Sequence, residues 1–214
     1  MALIDKGKVG GTCLNYGCVP SKTLIYTADR VVEIREAAKL GIRTEWIDID
    51  FPAIMARMRN TVTRGREGIG RAMFTHAGDK EAELAWYNAT HRKKIRMDFA
   101  FVPHAVFTHP QIASVGLTEE QARKDHEILV GRANYFDTVM GEAMMDEEGF
   151  AKAVVEKGTG RILGFHIIGH QAAMLIQEVV NTVINRQDLK SITDCMHIFP
   201  ALSNLIPEVL GNLE

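Results

Sequence analysis

Cys13 and Cys18 are the residues of this chain best suited to do chemistry. They stand five positions apart in the run Gly10-Gly11-Thr12-Cys13-Leu14-Asn15-Tyr16-Gly17-Cys18-Val19-Pro20-Ser21-Lys22. Two cysteines this close can join and separate as a disulfide without moving the rest of a fold, provided the turn brings their Cα atoms within about 6 Å. The glycines let the backbone bend and let another molecule lie against it. Lys22 follows at what reads as the start of a helix. A thiol near a cation and a helix N-terminus loses its proton readily, and the thiolate is the reactive form. The pattern predicts a redox-active dithiol. The competing readings are a zinc half-site and an inert pair. Cys195 is the one other cysteine, so no second close pair completes a four-thiol site, and no metal is expected.

Residues 10 to 22 resemble the redox motif GGTCxNxGCxPSK of the flavoprotein disulfide reductases and match every fixed position. That family includes dihydrolipoamide dehydrogenase, glutathione reductase, mycothione reductase and mercuric reductase. The resemblance implies that Cys13 is the interchange thiol that attacks substrate and that Cys18 is the thiolate beside the flavin. Lys22 would then sit near the flavin's reactive nitrogen. Ala2-Leu3-Ile4-Asp5-Lys6 reads as a short apolar strand ending in an acid. In dinucleotide-binding folds an acid there accepts from ribose hydroxyls. By resemblance, Asp5, Gly11, Thr12 and Lys22 are the expected FAD contacts.

The elements that must position these groups can be read next. Thr23 to Lys39 has a helical pattern, with Gly41 placed to cap it. A second helix is predicted from about Phe51 to Arg71, with Ile54, Met55, Met58, Val62 and Ile69 on one side. Its arginines, among them Arg57, Arg59, Arg64 and Arg66, are expected to form a solvated face. Gly70 to Ala77 resembles the family helix that returns to the flavin. Asn88 to Arg96, polar and basic, reads as a linker. From Val102, the run Pro103-His104-Ala105-Val106-Phe107-Thr108-His109-Pro110 onward to Thr118 resembles the opening of the family's interface domain. Thr118 and Gln121 form a capping-box pair. Strand-like runs follow at 127–136, 149–156 and 161–168, the last two joined by a Lys157-Gly158-Thr159-Gly160 turn. Ala172 to Ile184 reads as an amphipathic helix.

The fold expected is therefore α/β and α+β. Residues 1–97 would be a truncated, mostly helical remnant of an FAD-binding domain, and residues 98–214 an α+β interface domain that forms a homodimer. A complete family member needs about twice this length for its FAD, NAD(P)H and interface domains. No G-x-G-x-x-G stands before the Ala2 strand, and Gly65-Arg66-Glu67-Gly68-Ile69-Gly70 has the wrong spacing. The resemblance thus implies a missing NAD(P)H domain, with a joint near residues 65 to 71.

The family's acid–base dyad is altered too. Its histidine precedes a proline and its glutamate follows four residues after that proline. Here Phe199 precedes Pro200 and Asn204 occupies the glutamate position, neither able to exchange a proton near neutral pH. His197 and Glu208 are the candidates for a shifted dyad, since both could face the same way as the residues they would replace. The chain has no C-terminal cysteine pair, which argues against a mercuric reductase.

Composition bounds the rest. A net charge of −2 gives no electrostatic case for nucleic acid or an anionic membrane. No apolar run approaches the roughly 20 residues of a membrane span. Three cysteines, two of them in a redox turn, suit a reducing compartment, so a soluble cytoplasmic protein is expected. His104 and His109 flank a strand five apart, on opposite faces, which speaks against a metal pair. The expected function is a disulfide oxidoreductase related to FAD- and NAD(P)H-dependent enzymes, acting on a small disulfide or dithiol. The alternative is a catalytically incomplete relative that serves as a dimerisation module.

Overall fold

The computed structural model describes residues 11–68, 75–96 and 100–214. The chain divides into two compact units, Met1–Met97 and Asp98–Glu214. The strand expected at Ala2–Lys6, with Asp5, lies outside the described residues, as do Gly10 and residues 69–74 of the expected joint and returning helix.

The regular elements of the described part of the first unit are helices: α1 (Gly11–Asn15), α2 (Cys18–Glu36), α3 (Phe51–Gly68) and α4 (Thr75–Thr90). Helix α2 begins five residues earlier than the apolar pattern suggests. Pro20 falls in its first turn, where backbone N–H groups have no intrahelical partner, so the missing donor costs nothing there. The first helical hydrogen bond runs from Ser21 N–H to the Gly17 carbonyl at 3.1 Å. A 3₁₀ turn at Ala37–Leu40 follows, and Gly41 closes the helix in the left-handed region at φ 82°. Its N–H donates to Ala38 O, and the next, from Ile42, to Ala37 O. This is the glycine-capped ending that the sequence predicts.

Helix α3 begins where Asp50 Oδ1 accepts from Ala53 N–H at 3.0 Å. It turns Val62 inward, with Ile54, Met55 and Met58 half-buried beside it. Arg57, Arg59 and Arg64 are exposed, as expected. Arg57 is nonetheless engaged: its Nη2 donates to Thr23 O at 2.7 Å and to Thr27 Oγ1, tying α3 to α2. The linker expected at Asn88–Arg96 is helical through Thr90. Beyond it, Asn88 clamps Ile95 through two backbone hydrogen bonds of 2.9 Å.

The second unit is a five-stranded antiparallel sheet of order β1-β2-β5-β4-β3. The strands are β1 (His104–Val106), β2 (Gln111–Gly116), β3 (Ile128–Asn134), β4 (Phe150–Glu156) and β5 (Ile162–Gly169). Short helices α5 (Glu119–Ala122) and α6 (Val139–Met144) lie between strands, and α7 (Ala172–Ile184), α8 (Lys190–Thr193) and α9 (Leu205–Gly211) follow them. The capping box is present: Gln121 N–H donates to Thr118 Oγ1 at 3.2 Å, and Thr118 N–H to Gln121 Oε1 at 2.9 Å.

Alternation along the strands sends one set of side chains to the core. Ala113, Val115, Ala151, Ala153, Phe165 and Ile167 pack with Ile176, Val179 and Val183 of α7 and Leu205, Ile206 and Val209 of α9. Full burial of each larger apolar side chain contributes about 1.5–3 kcal/mol. Gly131 lets α9 approach β3: a Cβ at that position would stand 2.1 Å from the Val209 carbonyl oxygen. The C-terminus adds a short bridge to the outer edge, with Val130 N–H donating to Glu214 O at 3.0 Å. No helix of the described residues is long and apolar enough to cross a membrane.

Candidate redox-dithiol site

The two cysteines sit on two helices rather than in an open turn. Cys13 is on the one-turn helix α1, and Cys18 is the first residue of α2, with Tyr16 and Gly17 as the joint. Neither is in a disulfide, and both are half-buried. The geometry brings them into contact, since the Cys13 side chain hydrogen-bonds that of Cys18. Lys22 lies one helical turn beyond Cys18, on the same side of α2.

The electrostatics correct one expectation. Cys18 was expected to lose its proton easily, yet its pKa is raised above the ordinary thiol value. The hydrogen bond with Cys13 is the main cause, followed by burial and the Cys13 charge, while Lys22 and a backbone hydrogen bond pull the other way. The physical reason is that removing both protons would set two negative sulfurs side by side. Cys18 therefore holds its proton more tightly than an isolated thiol. The first turn of α2 holds no acidic residue and no side-chain cap, so its backbone donors are available to a developing thiolate.

The positions of the other expected site residues differ. The side chains of Gly11 and Thr12, like all of Asp5, are outside what the structure describes. His197 does not pair with Glu208. Its Nε2 lies 3.1 Å from Glu178 Oε1 on α7, and its Nδ1 lies 3.1 Å from the Cys195 carbonyl. Glu208 is exposed on α9. The two oxygens facing the imidazole, one on each ring nitrogen, fix its orientation. Glu178 had no local signal in the sequence, being 19 positions from His197 and brought there by the packing of α7. Among the described residues, no group of three or more His, Cys, Asp or Glu side chains could hold a metal ion.

The fit to a dinucleotide can be judged from the groups present. Cys18 and Lys22 share the side of α2 that a flavin ring would meet by the motif's logic. The described residues 11–96 contain no strand, and the sequence lacks the glycine loop that would hold a diphosphate. These residues therefore do not make an FAD clamp.

Residues 102–210 match the profile of the pyridine nucleotide-disulphide oxidoreductase dimerisation domain, which covers 109 of the 214 residues. The chain belongs to this family. Its curated relatives include a mycothione reductase of Mycobacterium tuberculosis, 34% identical over 183 residues, which span 79% of this chain and 39% of that protein. A dihydrolipoyl dehydrogenase of Synechocystis is 35% identical over 147 residues, which span 66% of this chain and 31% of that protein. The chain thus spans about two fifths or less of the length of these relatives. Among solved structures, the HOCl-induced flavoprotein disulfide reductase RclA of Escherichia coli superposes with a TM-score of 0.59 at 24% identity, over 71% of this chain and 34% of its own. LpdA of M. tuberculosis gives a TM-score of 0.59 at 21% identity, over 65% of this chain and 31% of its own. These two similarities show the fold. The family is one of oxidoreductases, and the mixed helix and antiparallel-sheet architecture is that of its dimerisation domain.

Proposed function

We propose that this chain is a thiol–disulfide oxidoreductase that works through Cys13 and Cys18. The observation that carries the proposal is the contact between the Cys13 and Cys18 thiols at the start of α2. In the proposed reaction the Cys13 thiolate attacks one sulfur of a small disulfide R–S–S–R. A Cys13–S–S–R bond forms, and the first RS⁻ leaves and takes up a proton. Cys18, once deprotonated, attacks the Cys13 sulfur, forming the Cys13–Cys18 disulfide and releasing the second RS⁻. The substrate gains two electrons and the chain loses two. A second dithiol returns the pair to its reduced form by the reverse exchange. This chemistry runs through sulfur alone. FAD is expected for the family, and a nicotinamide-driven cycle would need the flavin held partly by groups beyond the described residues.

Two further assignments belong to this proposal. Residues 1–97 are a partial FAD-binding domain and 98–214 a dimerisation domain, the latter supported by the family match to 102–210. A cytoplasmic homodimer is the form we expect. A second reading, a dimerisation module without turnover, is favoured by one observation: the family profile covers the sheet unit and not the dithiol.

The two readings separate on mixing the reduced chain with one equivalent of oxidised lipoic acid. The oxidoreductase reading predicts transfer of two electrons and an internal disulfide in the wild type. It also predicts a trapped mixed disulfide in Cys18→Ser and no reaction in Cys13→Ser. Unreacted thiols in the wild type would leave the dimerisation module.

A further inference from the structure

The core-facing side of the sheet is covered by α7 and α9, whereas the opposite face is only partly covered. Residues directly opposite one another in an antiparallel ladder point to the same face. The register therefore lines up His104, Ser114, His166, Lys152 and Arg132 in one row that crosses all five strands. Two residues along each strand, a second row on the same face holds Val106, Ile112, Ile168, Phe150 and Asn134. Helix α5 closes one end of this face, where Ala122 packs with Val154 and Leu163. The two rows lie beyond that end. In the apolar row, Val106, Ile112 and Phe150 are 49%, 38% and 41% exposed.

The polar row carries two cations, Lys152 and Arg132. Glu119 takes Arg123 at 2.8 Å and both Arg132 and Lys152 at 3.3 Å, so three cations share one carboxylate. His166 Nε2 donates to the Leu117 carbonyl at 3.1 Å. Its pKa is pushed down chiefly by burial, with Lys152 and His104 adding to the effect, so the members of the row feel one another's charge.

We propose that this face docks an acidic amphipathic helix of a partner protein. The helix would rest its apolar stripe on Val106, Ile112, Ile168 and Phe150 and turn carboxylates toward Lys152 and Arg132. Charge complementarity selects this occupant. A second copy of the chain would bring the same cations to a two-fold contact, and Glu119, the carboxylate paired with them, is already shared by three cations. The dimensions fit as well. Five strands at about 4.8 Å spacing make a row about 19 Å long. A helix of about 13 residues spans that length, and its width of about 10 Å covers two rows about 6.7 Å apart.

The test uses the full chain and a fluorescein-labelled 13-residue peptide with Leu on one helical face and Glu on the other, read by fluorescence anisotropy. A matching peptide with Lys in place of Glu is the control. The proposal expects saturable binding of the Glu peptide, at least tenfold weaker at 0.5 M salt, and no binding of the Lys peptide. Arg132→Glu combined with Lys152→Glu should weaken binding at least tenfold. Phe150→Ser, on the apolar row, should weaken it about fivefold, and its exposed position spares the core should the double variant fail to fold. The proposal is overturned if the Glu peptide does not bind, if the Lys peptide binds equally, or if Phe150→Ser leaves its affinity unchanged. A change in oligomeric state of Phe150→Ser by sedimentation would also overturn it, by assigning the face to a second copy.

Discussion

The helical unit and the sheet unit divide the work of this chain unequally. In the first, the 19-residue helix α2 carries Cys18 and Lys22 yet buries no residue fully. Among the described residues there, Leu14 and Val62 are the fully buried apolar side chains. In the second, strands β2, β4 and β5 with helices α7 and α9 share one contiguous core. The dithiol thus sits where the packing is sparse, and the larger core lies in the other unit. Reactive thiols need access to a substrate, whereas core side chains gain their free energy by excluding water.

The largest effect should come from cutting into the richer unit. Phe165→Ala, at a fully buried position between sheet and helices, should destabilise the sheet unit by about 3–5 kcal/mol in urea unfolding. Val62→Ala, in the helical unit, should cost no more than about 2 kcal/mol. Equal losses would break the contrast. Next, Gly131→Ala forces β3 and α9 apart, because its Cβ would meet the Val209 carbonyl at 2.1 Å. A loss of about 1–3 kcal/mol is expected in the same assay, with the Cys13–Cys18 chemistry unchanged.

A third experiment sharpens the view of the dithiol as a coupled pair. Cys13→Ala removes the hydrogen bond and the charge that hold Cys18 up. The pH profile of Cys18 alkylation by iodoacetamide should therefore move to lower pH than in the wild type. A profile that stays in place or moves upward would show that burial alone sets the Cys18 value.

The smallest effect concerns His166. Its folded-state pKa lies below the ordinary imidazole value, chiefly because it is partly buried. The unfolded chain therefore takes up this proton first as the pH falls. The stability tied to His166 is fully present above about pH 6.5 and is lost as the pH falls from there through the folded value. His166→Gln should flatten the slope of unfolding free energy against pH in that window, and an unchanged slope would remove His166 from the balance.

Much of this arrangement was legible in the residues themselves. Alternation marked β3, β4 and β5, the Lys157–Gly160 turn joined the last two, and Thr118 with Gln121 marked the start of α5. These signals are local, so they survive without knowledge of the fold. The early start of α2 was missed because Pro20 reads as a helix breaker unless it is known to fall in a first turn. Glu178 as the partner of His197, in place of Glu208, depends on how α7 packs against the segment after α8. The polar row is invisible in the sequence, since its five members come together only through strand register. The raised Cys18 value likewise follows from a contact between α1 and α2 that spacing permits but does not require.

The central claim is that Cys13 and Cys18 form one reversible two-electron couple. The direct test is a redox equilibration of the wild-type chain in dithiothreitol buffers, with remaining thiols alkylated and located by mass spectrometry. The account predicts a single transition in which Cys13 and Cys18 lose and regain their label together while Cys195 stays labelled. Independent titration of the two, or a disulfide that includes Cys195, would contradict it.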